Sequence, residues 1–105
     1  ENIKQIESPL EKLNEIRGVY FDWTNDYINN HGGIDNYFMR KHDIGVIAQE
    51  VEKVLPEIVG TKEDGSKAVK YEKITPLLIE AIKEQQKIIE SLKDRIIKLE
   101  QINYA

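Results

Sequence analysis

The sequence predicts an α+β chain: a small antiparallel sheet with short helices, then one long C-terminal helix that forms a parallel trimeric coiled coil. Three observations carry this prediction. "GVYFDW" (Gly18 to Trp23) alternates apolar and polar side chains, and "EIVGTKEDGSKAVKY" holds an Asp-Gly pair between two short apolar runs. From Ile74 to Ile102, apolar residues recur at spacings of three and four. Residues 1–73 are expected to form a small α+β domain with an extended loop at 24–41, and residues 74–105 a coiled-coil helix.

The first element is a helix in "SPLEKLNEIRG". Ser8 supplies a capping hydroxyl, Pro9 occupies the first helical position and Glu11 reaches back in return. Gly18 stops it, and Leu10, Leu13 and Ile16 give it one apolar edge. In the strand that follows, Val19, Phe21 and Trp23 share one face, and Tyr20 and Asp22 the other. The segment Thr24 to Lys41, "TNDYINNHGGIDNYFMRK", is rich in Asn, Asp and Gly yet carries six large apolar or aromatic residues. Two accounts fit it: an excursion whose aromatics fold back on the sheet or on a neighbouring subunit, or an exposed arm that holds another protein.

"HDIGVIAQEVEKVLPEIV" opens with the apolar run Ile44 to Ile47, then changes to helical spacing with Ala48, Val51 and Leu55 aligned. Pro56 ends that helix by restricting the residue before it. A hairpin comes next, with Asp64 and Gly65 supplying the positive φ angles of a tight turn and Val69 and Tyr71 directed to the core.

In the last element Leu78, Ile82, Gln85, Ile89, Leu92, Ile96, Leu99 and Asn103 are separated alternately by four and three residues. This is a heptad seam with Leu or Gln at d and Ile or Asn at a. Pairs such as Glu80 with Lys83, Glu90 with Lys93 and Asp94 with Lys98 keep its outer face polar. Ile at a with Leu at d favours a parallel dimer. Against that, Ile88 and Ile102 at g and Ile79 at e widen the stripe beyond what two strands cover. Gln85 places an amide at d, and copies related by symmetry would satisfy one another's amides and fix the register. The expected state is therefore a homotrimer with Leu78, Ile82, Gln85, Ile89, Leu92, Ile96 and Leu99 at its interface and Arg95 facing Glu100 of a neighbour. The competing arrangement, one helix folded back on its own domain, asks a small domain to cover roughly 43 Å of helix.

Composition excludes several function classes. A chain of 105 residues buries a modest fraction of its surface and gains from added contacts. Charged residues make up 32 % at a net charge of −4, without a basic block, so no nucleic acid or membrane partner is expected. There is no cysteine, no long apolar run and no signal-peptide pattern, which suits a soluble intracellular chain. The start, "ENIKQIE", carries no methionine and suggests a fragment or cleaved product.

No catalytic or cofactor constellation stands out. His31 and His42 are eleven residues apart, and no HExxH, CxxC, EF-hand, P-loop or GxGxxG spacing occurs, so neither a metal nor a cofactor is expected. "HGG" at His31 to Gly33 suits a flexible turn better than an oxyanion loop. Ser66 sits beside a turn and Ser91 faces outward on the helix; Ser8 and Lys12 are one turn apart, but a capping hydroxyl is committed to backbone amides.

"ENIK", "LNEIRGVYFDW", "IGVIAQEVEKVLPEIV" and "KAVKYEKITPLLIEAIKEQQKIIESL" occur in this order and cover nearly the whole chain. Together they resemble the C-terminal intramolecular chaperone, auto-processing domain of phage tail spikes and tail fibres, of the endosialidase type; the stretch Ile44 to Glu57 is the most specific. The resemblance implies a domain that trimerises, assists folding of the preceding β-structured fibre of the same polypeptide in the host cytoplasm during virion assembly, and then cuts itself off. It further implies a Ser/Lys dyad, with a lysine base whose pKa is lowered by its surroundings. In the family that motif ends just before the "ENIK" segment, so no residue of this chain inherits the catalytic role. Loops that grip the fibre are also implied, with Tyr27, Tyr37 and Phe38 as client-contacting residues. The alternatives are a permanent coiled-coil oligomerisation or adaptor module that never cleaves, and an independent hydrolase.

Overall fold

A computed structural model describes residues 1–35, 37 and 39–104. Its elements are α1 (Pro9–Asn14), β1 (Gly18–Asp22), α2 (Asn25–Asn30), β2 (His42–Val46), α3 (Ala48–Val54), β3 (Val59–Thr61), β4 (Lys67–Val69) and α4 (Thr75–Tyr104), with 3-10 turns at Pro56–Ile58 and Tyr71–Lys73. The fold class predicted from sequence holds: two small antiparallel sheets with short helices, and one long terminal helix. The sheet is two separate hairpins, β1 with β2 and β3 with β4.

β1 pairs with β2 from Gly18 opposite Val46 to Asp22 opposite His42, and Trp23 N–H to the Lys41 carbonyl at 2.9 Å carries the ladder one step further. That bond sets the alternation: Val19 with Gly45 and Phe21 with Asp43 exchange ladder bonds, while the N–H groups of Ile44 and Val46 point to the outer edge. There the Ile44 N–H donates to Asp43 Oδ1 at 2.8 Å and the Val46 N–H to Tyr71 Oη at 3.1 Å. Side chains thus occupy two positions through which a further strand would pair with β2. Gly45 makes this possible, since a Cβ there would fall 2.5 Å from Tyr71 Oη and 3.3 Å from Phe21 Cε1.

The buried core consists of Ile28, Val51, Ile58, Leu77 and Ala81, so α2, α3, the turn after Pro56 and the start of α4 each contribute. Arg17 and Glu50 clamp β1 to α3 through three bonds: the Arg17 backbone N–H at 3.1 Å, Nε at 2.9 Å and Nη2 at 2.7 Å.

Several local expectations are corrected. Ser8 stands at the N-cap of α1 in a left-handed conformation (φ 49°, ψ 51°), but its hydroxyl caps nothing. The Leu10 N–H is instead taken by Glu84 Oε2 of α4 at 3.1 Å. α1 ends at Asn14, and Gly18 begins β1 rather than terminating the helix. In the second hairpin Gly65 has positive φ (87°) and Asp64 does not. The connection is a wider loop, closed by Lys62 N–H to Ser66 O at 2.8 Å and by Asp64 Oδ1 accepting from Ser66 N–H at 2.9 Å and Oγ at 2.6 Å. Tyr71 is half exposed, and its ring lies over Gly45 rather than in the core.

The segment 24–41 is not wholly irregular. Thr24 Oγ1 accepts the Tyr27 N–H at 3.1 Å and so caps α2, which buries Ile28. Beyond it Gly32 and Gly33 take positive φ, and Asp35 Oδ1 accepts the N–H groups of Tyr37 and Met39.

Candidate assembly interface

α4 runs for 30 residues, about 45 Å at 1.5 Å per residue. The molecule measures 70 Å along its longest axis with a radius of gyration of 20.3 Å, against about 13 Å for a compact chain of this length. Much of α4 therefore extends beyond the α/β head. Its first turns are anchored: Leu77 is 0 % and Ala81 2 % exposed, α1 packs alongside, and Glu84 holds the start of α1.

The seam residues lie on an adjacent face of the same helix. Leu78 (41 %), Ile82 (65 %), Ile89, Leu92, Ile96 (55 %) and Leu99 are all exposed, as is Gln85 between them. Ile79, Ile88, Ile97 and Ile102 are exposed as well. Burying a Leu or Ile side chain fully is worth about 1.5–3 kcal/mol. Six such side chains in a row, set in a polar surround that includes the Glu80–Lys83 pair at 3.6 Å and the Gln86–Glu90 bond at 3.3 Å, have the form of an unfilled protein interface. The Asn103 side chain falls outside what the structure describes.

A second cluster lies on the first hairpin. Phe21 meets Trp23 edge to face at 4.9 Å, Trp23 stacks on Tyr27 at 4.2 Å, and Tyr27 stacks on His31 at 3.9 Å. Trp23 Nε1–H donates to Asp43 Oδ2 at 3.0 Å. That indole bond, helped by the Ile44 N–H, holds the Asp43 carboxyl below its ordinary pKa. Of the residues expected to meet a client, Tyr27 is half-buried within this stack, Tyr37 is 78 % exposed, and Phe38 lies outside the described residues. The Phe21, Trp23 and Tyr27 rings form one wall of a cleft of about 440 Å³ whose other wall is the second hairpin, with Lys62, Lys67 and Tyr71.

Lys12 and Ser66 are committed structurally. Lys12 Nζ meets Glu7 Oε1 at 3.0 Å rather than Ser8, and Ser66 Oγ is bonded to Asp64. Among the described residues no cluster of three His, Asp or Glu side chains could hold a metal ion, and no helix is long and apolar enough to cross a membrane.

Sequence reasoning missed Leu77, Ala81 and Glu84, which fasten α4 to the head, and the Arg17–Glu50 clamp. Leu77 and Ala81 are four apart, a signal of a second apolar face running beside the heptad seam.

Comparison with known proteins identifies the family. Residues 1–60, which take in α1 through the start of β3, match the family model described as chaperone of endosialidase. The long tail fiber protein Gp37 of Salmonella phage S16 is 36 % identical over 104 residues, covering 96 % of this chain and 13 % of that protein. Gp37 of Enterobacteria phage K3 is 30 % identical over 100 residues, covering 91 % of this chain and 7 % of that protein. The chain thus spans a small fraction of these relatives, and its likeness to them continues past residue 60 into α4. With more than half its length matched, the chain belongs to the chaperone of endosialidase family.

Proposed function

We propose that this chain is the intramolecular chaperone of a phage tail fibre: it brings three copies together through α4, assists folding of the β-structured fibre that precedes it in the same polypeptide, and is then released by self-cleavage upstream. The observation that carries the proposal is the exposed seam from Leu78 to Leu99, on a helix whose adjacent face is already fixed to the head. A trimeric fibre requires three chains in register before its intertwined strands pair, because wrong registers of β-structure are nearly isoenergetic when the strands are long and repetitive. A coiled coil with an amide layer at Gln85 supplies such a register. The family membership supports the chaperone role, and the tail-fibre relatives support the client.

On this reading the work is done in the host cytoplasm during virion assembly. Tyr27, Tyr37 and Phe38 are proposed to meet the fibre, Tyr27 through the exposed part of its stack. Serine substitution of all three is expected to leave the trimer intact and to lower the yield of mature fibre; an unchanged yield removes the client role from these residues. A chain extended upstream, followed by mass spectrometry, is expected to yield a fragment cut shortly before Glu1. Persistence of the uncut chain overturns the self-cleavage step and favours a permanent oligomerisation module.

A further inference from the structure

The seam accounts for one face of α4, but Ile79, which widens the apolar stripe on the flank away from the head, stays exposed with no partner element named for it. Successive residues turn by about 100° around a helix. Ile74, just before α4 and already in helical conformation, and Leu77, Glu80, Ala81 and Glu84 within it are covered or partly covered by the head, and they form a stripe centred roughly 90° to one side of the seam. Ile79 lies roughly 105° to the other side.

In heptad terms the covered stripe includes the g position of Ala81, and Ile79 is an e position. A parallel bundle sets the g flank of each helix against the e flank of the next. With three-fold symmetry each helix sees its neighbours at roughly 30° on either side of the line to the axis. α1, about 90° from that line, is then roughly 60° from the neighbour on the g side. Helices pack with axes 8–10 Å apart, so α1, its own α4 and that neighbour stand at the corners of a nearly equilateral triangle. The face that the neighbour turns to α1 is the one carrying Ile79.

We infer that α1 is shared between copies: its inner side rests on its own α4, and its outer flank closes over Ile79 of the next copy, an inference that rests on the trimer reading above. The N-terminal layer of the assembly is then a ring of six helices, three inner and three outer. α1 locks the copies together as well as packing within its own chain. The half-buried α1 side chains Leu10 and Leu13 supply apolar surface for the contact. Ile97 takes the same azimuth as Ile79, but it lies about 27 Å further along the helix and out of reach of α1.

The chain contains no cysteine, so engineered pairs read the contact without background. Ile79→Cys is combined in turn with Leu10→Cys, Leu13→Cys and Asn14→Cys, and each protein is oxidised and resolved by non-reducing electrophoresis, with light scattering on the reduced sample. Within one chain Ile79 and α1 are on opposite sides of a helix about 10–12 Å across. A disulfide, which needs Cβ atoms about 3.5–4.5 Å apart, can therefore form only between copies. The expected result is a covalent dimer and trimer ladder for at least one of the three pairs, and none when Ile97→Cys replaces Ile79→Cys. A trimer mass without any Ile79 cross-link overturns the shared α1 and leaves the trimer standing. A monomeric or dimeric mass of the reduced proteins overturns the trimer, and with it this inference. Cross-linking through Ile97 as readily as Ile79 marks random collision and counts against the contact.

Discussion

The two ends of α4 are built from the same residue types and meet opposite surroundings. Near its start Leu77 and Ala81 are sealed into the head, while further along Ile89, Leu92, Ile96 and Leu99 keep about half their surface in water. The head shares its core with the first turns of α4, whereas the outer two-thirds of the helix carries an apolar seam that its own chain leaves exposed. The contrast separates two kinds of stability. Burial at Leu77 acts within one chain and does not depend on concentration; burial along the seam requires other chains and does.

Four sets of substitutions test that separation. The largest effect is expected from Ile89→Asp with Ile96→Asp, which places charges in the seam and forfeits about 1.5–3 kcal/mol per side chain in every copy. Association should vanish at micromolar concentration, while the near-UV circular dichroism of the Trp23 cluster persists; loss of both signals would mean that the head depends on the seam. Leu77→Ala should cost about 2–5 kcal/mol in denaturant unfolding, the usual range for a buried leucine. It should do so equally at low and high protein concentration when the seam is disabled. Gly45→Ala should cost about 1 kcal/mol, because the new methyl displaces Tyr71 Oη from the Val46 N–H. Adding Tyr71→Phe should recover part of that loss, and its failure to do so would show that the Phe21 ring is the stricter neighbour.

The smallest effect concerns Glu50. Its carboxyl is held below the ordinary carboxylate pKa by the hydrogen bond and charge of Arg17. A lowered folded-state pKa means that the stabilisation is present above the ordinary value and is lost as pH falls through the lowered one. Glu50→Gln should therefore lower Tm slightly at pH 7, and the gap to the parent chain should close as pH drops through the carboxylate range. A gap that stayed constant would assign the effect to packing instead of charge.

How much was legible in the sequence follows the same division. The heptad spacing, the alternation of "GVYFDW" and the Pro56 stop each depend on local periodicity or local sterics, and each predicted its element correctly. The capping of α1 was misread because its partner is Glu84, 74 residues away, and no local rule reaches that far. α2 was hidden by an Asn-rich composition, although Thr24 followed by an acidic first turn was the available signal. Leu77 and Ala81 were obscured because a helix with two apolar faces shows a single broad stripe in one dimension. Which flank belongs to the head becomes visible once α1 is in place. The Trp23–Tyr27–His31 stack follows from the α2 turn, which sets Tyr27 and His31 four residues apart on one side.

In the proposed trimer the exposed face of α4 is completed by two further copies of the same chain. Sedimentation equilibrium of the 105-residue chain over a range spanning micromolar concentration reads this directly. The expected result is a single species with the mass of three 12.2 kDa chains, converting to monomer when Ile89 and Ile96 are replaced by Asp. A parent chain that remains monomeric or dimeric across that range would contradict it.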